Sequence, residues 1–519
     1  MKLRLPIVVL MTVLAGWLRF TATSFGLPDK FRPDEQYLLG SAVGFQDDWN
    51  PHFAIYPAAQ MYVDHLAFIL YATLTGRRSN FRAMYAADDA RLAHLVGRRI
   101  SATFGTATIP AIYFAAAPLG PEVALSASAL MAASTLHMRE SKYWTTDAGA
   151  IFWLTLCLAM VMRIVYLGRE RDYLAAGLLA GFATAAKYPA GVLVFAITSG
   201  HIEARIREGR SLWRSFWDIR IYLAGFAAVT AFVCGTPYFF LDWPQTVHDY
   251  IYQRGFVSDG LPNPLVSYGW SWLLLHAMPD SFGIAMLLLF LIAMIWMAFR
   301  PQPGSFSLLV FVLVACTLMT RSRYLFYRYL LVPLPGMVLL AGAFLADLVN
   351  LATPRFGVSK SRALLACALV FLVLPSLIRD IGLNRLLLRD DSRTLTRKWI
   401  ERNIPRGSAI AITDTNNLCG KPQGSYRWVP LEPLDSLRAK NVHWVLSDSF
   451  PPIEFYSKGP SHQEAEQLDS KARLVFEINP IKPGKPMPVF DPADAYYAPI
   501  ANISSMERPG PIIRIWELR

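Results

Sequence analysis

The stretch FRPDEQYLLGSAVGFQDDWNPHFAIYPAAQMYVDH, Phe31 to His65, decides how this chain reads. It follows an apolar run, LRLPIVVLMTVLAGWLRF, long enough to enter a bilayer. Two adjacent acids, Asp34 and Glu35, come first, then a polar, aromatic-rich run and the phrase NPHFAIYP. Carboxylates beside a membrane are costly unless they are paired, solvated or used. Packing gives no reason to gather so many polar and cyclic groups at a helix mouth. The stretch predicts the floor of an active site, set in a first outer loop of about residues 23–99.

Composition sets the class. Of 519 residues, 54% are hydrophobic and only 17% charged. Soluble domains carry about 25% charged residues, so a soluble globular protein of this size is excluded. The 14 Trp, 22 Tyr and 31 Phe suit interface belts and a ring-lined cavity. The net charge of +12 lies largely in loops between apolar runs, where Lys and Arg set topology. No basic-aromatic module accompanies it, so nucleic acid is not expected as a partner. The five cysteines, Cys157, Cys234, Cys316, Cys367 and Cys419, have neither metal-site spacing nor a disulfide framework. The N-terminus has a basic start and an apolar run but no small-residue cleavage site before Asp34, and reads as an uncleaved first span.

Apolar segments predict about 11 transmembrane helices. They fall near residues 5–22, 100–117, 123–136, 148–167, 173–186, 189–200, 221–235, 282–299, 306–319, 330–348 and 363–378. Lys2 and Arg4, the arginines between Arg205 and Arg220, and Arg355, Lys360 and Arg362 then fall on one side, the cytoplasm. The segment PAAQMYVDHLAFILYATLTG carries Asp64 and His65, and reads as helix lying in the interface. RESKYWTTD, Arg139 to Asp147, reads as an outer loop. From Arg379 the composition changes. TLTRKWIERNIPRGSAIAITD reads as a helix, a Pro-Gly stop and a strand, and HWVLSD, RLVFEI and IIRIWEL read as further strands. The expected fold class is mainly α. A polytopic membrane domain (1–379) with interfacial helices in its outer loops precedes a small extracytoplasmic α/β domain (380–519), a lid or docking module.

Several residues suit chemistry at the outer face. Asp34 or Glu35 can act as general base on a hydroxyl or hold a divalent cation. A salt bridge to Arg32 or Arg77, or plain solvation, is the bland alternative. Asp147 opens a span after two threonines that can cap the helix; the acid suits either the helix dipole or a second acid facing Asp34. Lys187, in AAKYPAG between two short spans, suits either a phosphate or a lipid headgroup. Arg321, Arg323 and Arg328 cluster on the outer face against the positive-inside trend, which favours an anionic partner. His52 and His65 read as polar cavity residues, since no third metal ligand has suitable spacing. Tyr56 and Tyr62, with Trp144, suit either stacking on sugar faces or belt packing.

RPDEQYLL with NPHFAIYPAAQMYV resembles bacterial polyprenyl-phosphate-dependent glycosyltransferases of the GT-C superfamily, relatives of the protein O-mannosyltransferases and the lipid A aminoarabinose transferase. The resemblance continues through SKYWTTDAG, GLLAGFATAAKYPAG, YRYLLVPLPG and DSRTLTRKWIERNIPRGS, in order along nearly the whole chain. It implies transfer of a sugar, with inversion, from a polyprenyl-phosphate donor to a hydroxyl of a lipid, glycan or protein. The setting implied is the outer face of a bacterial inner membrane, the active site facing the periplasm. It places the base on Asp34, the adjacent acid on Glu35 and the second-loop acid on Asp147. Lys187 and Arg328 would hold the carrier phosphate, with Arg321, Tyr56, His52 and Tyr329 as further substrate-binding candidates. A divalent cation stays possible, held by Asp34 and Glu35. A lipid-linked sugar flippase, an oligosaccharide ligase or polymerase, and a non-catalytic lipid-binding scaffold are the rivals. A transporter predicts inverted repeats and mid-membrane charges, and neither is apparent.

Overall fold

A computed structural model describes residues 4–29, 32–76, 90–259, 269–322, 326–412, 426–449, 468–491 and 498–518. The chain divides into two compact units: residues 1–23, 34–260 and 267–380 form one, and residues 24–33, 261–266 and 381–519 the other.

The first unit is helical. Its apolar helices are α1 (Arg4–Phe20), then, after α2 (Pro33–Gly44) and α3 (Ala59–Leu74), α4 (Ala90–Ala116) and α5 (Pro121–Ala132). A short α6 (Thr135–Glu140) precedes α7 (Asp147–Leu167), α8 (Glu170–Ala186), α9 (Leu193–Arg207) and α10 (Ile219–Gly235). After α11 (Trp243–Asp259) come α12 (Ile284–Phe299), α13 (Ser305–Met319), α14 (Leu334–Phe356) and α15 (Val358–Leu387). Each expected apolar span is thus helical, but segments and crossings are not the same count. By length and composition, five helices among the described residues can cross a membrane: Arg91–Leu119, Asp147–Leu167, Leu212–Gly235, Leu334–Phe356 and Val358–Asn403. The 12 residues of α5 reach only about 18 Å, short of the roughly 30 Å hydrocarbon core. Phe226, Phe299 and Phe371 are exposed on their helices, an arrangement suited to lipid and penalised in water.

The segment 57–76, read as interfacial, becomes α3, with Gln60, Asp64 and His65 buried. RESKYWTTD departs from the expected surface loop. Arg139 to Asp147 are buried, Arg139 and Glu140 ending α6 as an ion pair. Lys142 donates to the carbonyls of Leu18, Arg19 (3.3 Å) and Thr21 (2.7 Å), capping α1. The charges that suggested solvent find partners inside the protein, Arg139 with Glu140 and Lys142 with the end of α1.

Close helix packing sets the site's frame. On α8, Gly177 and Gly181 face α10. A Cβ at Gly177 would sit 2.1 Å from the Ala224 carbonyl oxygen, and one at Gly181 2.3 Å from that of Ala228. This small-xxx-small spacing lets two membrane helices meet backbone to backbone. Backbone cannot step aside as a flexible side chain can. Gly177→Ala is therefore expected to destabilise the protein by about 1–3 kcal/mol; unchanged thermal unfolding of the purified variant would contradict the packing.

The second unit holds a helix, α16 (Ser392–Asn403), capped by Asp391, which accepts from the Arg393 amide at 2.9 Å. Its five-stranded sheet comprises β1 (Ala409–Ile412), β2 (Arg427–Pro430), β3 (Trp444–Ser449), β4 (Ala472–Ile478) and β5 (Ile512–Leu518), in the order β2-β1-β3-β5-β4. β1 runs parallel to β2 and β3; β5 is antiparallel to β3 and β4. The expected helix and four strands are all present. The half-exposed β2, RWVP, lacks the apolar alternation that would have disclosed it.

Candidate active site

Five separate pieces of the first unit converge. The first turn of α2 carries Asp34 and Glu35. The loop before α3 carries Tyr56. The start of α7 carries Asp147, the end of α8 carries Lys187, and a 3-10 turn, Tyr327–Leu331, carries Arg328 and Tyr329.

Each position has a local cause. Lys187 donates the last helical bond of α8, to Ala183 at 2.9 Å, then turns extended. Pro189 follows and, having no N–H, cannot continue the helix. Asp147 sits in the first turn of α7, where the helix dipole favours a carboxylate. The side chain of Thr146 makes no cap, so the capping expected of the threonines falls away.

Two cations meet two acids. Arg328 Nη1 lies 2.9 Å from Asp34 Oδ2, a contact spanning 294 residues of sequence. Lys187 Nζ donates to Asp147 Oδ1 and stands 5.8 Å from the centre of the Tyr329 ring. Burial pulls the Lys187 ammonium below its ordinary pKa; Asp147 opposes this, and Arg328 adds to it. Tyr56 lies among these groups. Burial, then the Asp34 carboxylate, pushes its hydroxyl far above the ordinary value, so it stays a neutral donor. The Asp34 side chain keeps 25% exposure, against 8% for Arg328 and 5% for Asp147, so it is the acid open to solvent.

Glu35 is different. It is fully buried, and Arg98 grips both its oxygens, Nε to Oε1 and Nη2 to Oε2, each at 2.8 Å. The Trp144 amide adds a third bond at 3.1 Å. Burial, the largest cause, raises its pKa, but Arg98, with His94 and the Trp144 amide, lowers it by more, and the net position is below the usual carboxylate range. Neighbours on a helix diverge by about 100°, so the two acids face different surroundings. Asp34 is engaged by Arg328 and Glu35 by Arg98, so the two acids stand in separate ion pairs. Among the described residues no three His, Cys, Asp or Glu side chains gather to hold a metal ion.

The other candidates lie elsewhere. His52 is exposed and pairs with Asp48 at 2.8 Å, with Asp242 at 3.8 Å. His65 Nδ1 contacts the Ala42 carbonyl at 2.7 Å, a core role. Arg321 is exposed at the end of α13, and Arg323, Arg77 and Cys419 lie outside the described residues. Tyr62 donates to the Trp49 carbonyl at 3.1 Å and packs 4.7 Å from Phe45. Trp144 is fully buried, so it offers no face to a sugar. Sequence reasoning missed Arg98; its one signal was a charge at the head of an apolar helix, a position that is seldom idle.

Residues 93–235 match the family model described as dolichyl-phosphate-mannose-protein mannosyltransferase. No curated protein matches the chain in sequence. Solved structures share its fold. The archaeal oligosaccharyltransferase AglB from Archaeoglobus fulgidus, in complex with an inhibitory peptide and a dolichol-phosphate, aligns with TM-score 0.52 and 10% identity, over 92% of this chain and 73% of that one. ArnT from Cupriavidus metallidurans, bound to undecaprenyl phosphate, aligns with TM-score 0.50 and 13% identity, over 98% of this chain and 97% of the other. In sequence over residues 93–235, and in fold over nearly its whole length, the chain thus resembles the polyprenyl-phosphate-dependent glycosyltransferases of the GT-C superfamily.

Proposed function

We propose that the protein is an integral-membrane glycosyltransferase that moves a sugar, with inversion, from a polyprenyl-phosphate donor to a hydroxyl on a lipid, glycan or protein. The observation that carries this reading is the Asp34–Arg328 pair beside the Lys187–Asp147 pair: a solvent-open carboxylate next to two cations, at the end of apolar helices. The distribution of basic loops supports a site on the outer face of a bacterial inner membrane, with residues 1–379 as the catalytic domain and 380–519 as an outer module.

The acceptor oxygen attacks the anomeric carbon as its proton passes to Asp34. The bond from that carbon to the phosphate oxygen breaks, and the electron pair leaves with the phosphate. A phosphate is already stable as an anion, so it needs charge stabilisation more than protonation. Arg328 and Lys187 supply that charge. Both begin paired with carboxylates, so the donor phosphate competes with Asp34 for Arg328, and its arrival frees the base. Tyr56 and Tyr329 flank the sugar.

The test is transfer by the purified protein in liposomes, with a panel of polyprenyl-phosphate monosaccharides and membrane extract as acceptor. Glycosylated product is expected. Labelled donor crossing the bilayer with no product would replace the reading with a flippase. Among variants, Arg328→Gln is expected to raise the donor KM about 10- to 100-fold, the worth of one charge-assisted hydrogen bond. A donor KM equal to wild type would remove Arg328 from the phosphate site.

A further inference from the structure

We propose that Trp144 and Asp64 are positioning residues that aim the Asp34 carboxylate through Glu35; this rests on the transferase reading above.

Asp34 sits one residue before the most firmly held side chain of α2. Glu35 is fixed by Arg98 of α4 and by the Trp144 amide. Trp144 is itself fixed by its ring. Its Nε1 donates to Asp64 Oδ2 at 2.7 Å, and Gln60 donates to Asp64 Oδ1 at 2.9 Å. All these side chains are buried. The ring lies so close to α4 that a Cβ at Gly97 would stand 2.1 Å from it. A Cβ at Gly149 would likewise stand 2.2 Å from Gln60 Oε1. The ring therefore has one seat, and its hydrogen bond to α3 selects the orientation within it. Three residues on, the same segment presents Asp147 to Lys187. One short strap, residues 144–147, thus ties the first turn of α2 to the acid that holds Lys187. Catalytic geometry tolerates little error, since a misplacement of about 1 Å costs about 10²-fold in rate.

Among the described residues Asp64 faces no cation directly. Gln60 and Trp144 hold its oxygens, and His65 on its own helix is turned to Ala42. His94 and Arg98 of α4 lie beyond the indole, His94 with its ring 6.0 Å from that of Trp144, and Glu35 beyond them is a like charge. Burial pushes the Asp64 carboxyl up to about 7, against the bonds from Trp144 and Gln60. The ionised form is the stronger acceptor for Nε1–H, so aim improves as pH rises through about 7. Stability moves the other way. A carboxyl raised in the folded state binds its proton where the unfolded chain has released it, so folding weakens as pH rises between its ordinary pKa and about 7.

The experiment measures kcat, donor KM and thermal unfolding of the full chain across pH, for wild type, Trp144→Phe and Asp64→Asn. Trp144→Phe keeps an aromatic ring beside Gly97 and removes the donor together with the second ring of the indole. Its kcat is expected to fall about 10- to 100-fold with donor KM within about twofold. Asp64→Asn is expected to lose the wild-type rise in kcat near pH 7 and to unfold at higher temperature than wild type at pH 8. A folded Trp144→Phe with wild-type kcat overturns the proposal. Should that variant not fold, an Asp64→Asn pH-rate profile superimposable on wild type overturns it instead. No transfer by wild-type protein with any donor overturns the transferase reading and this proposal together; transfer by wild type with both variants unaffected overturns the positioning role alone.

Discussion

Asp34→Asn is expected to lower kcat for sugar transfer by about 10²- to 10⁴-fold, the contribution of a positioned general base. The substitution keeps shape and removes only charge. Its effect on donor binding has the opposite sign to that of an ordinary site mutation. Arg328 Nη1 is engaged by Asp34 at 2.9 Å, and an amide at that position releases it to the incoming phosphate. Donor affinity should therefore hold or tighten while turnover collapses. That pairing of outcomes separates a base from a structural carboxylate, whose loss would disturb the site and weaken donor binding. Steady-state kcat together with direct binding of a labelled polyprenyl-phosphate donor checks it. A variant retaining more than about a tenth of wild-type kcat would remove Asp34 as the base.

The membrane fold was legible because apolar length is a strong local signal, and the expected spans reappear as helices. What spans could not disclose was depth. RESKYWTTD looked like solvent-facing loop because all of its residues but Trp144 are charged or hydroxylic, yet Lys142 and Arg139 find their partners inside the protein. The site was half legible. Lys187 and Arg328 were visible as cations out of place, and the structure gives each a carboxylate partner. The division of labour between Asp34 and Glu35 was invisible, since adjacent acids are equivalent in sequence. It is decided by Arg98, 63 residues away, and by an amide 109 residues away. Pairing at such separation leaves no spacing to read. Trp144 misled for the same reason: an aromatic in a polar run suggests a sugar platform until its burial is known.

Arg98→Met should be the most destabilising single change near the site. It leaves Glu35 buried and charged without its bidentate guanidinium partner, a loss of about 3–5 kcal/mol for a broken buried pair. In the wild type, Glu35 lies below the ordinary carboxylate range because Arg98, helped by His94 and the Trp144 amide, overcomes burial. Its contribution to stability is present above the unfolded-state pKa and is lost only as pH falls through that lowered value. Without Arg98 the order reverses: burial wins, the carboxyl moves up, and stability falls as pH rises through the weakly acid range. Thermal unfolding of the variant between about pH 5 and 8 should therefore slope downward where the Glu35 contribution to wild type is flat. The double variant Glu35→Leu/Arg98→Met removes both charges and should recover much of the lost stability, as replacing a buried pair by apolar groups commonly does. It should not recover turnover, because the first turn of α2 then has no tether to α4 and Asp34 loses its aim. Equal stability of Arg98→Met and wild type would mean that Glu35 is hydrated rather than buried. Full turnover by the double variant would mean that the Asp34 carboxylate is aimed by Arg328 alone, with the Glu35 anchor serving only to hold the fold.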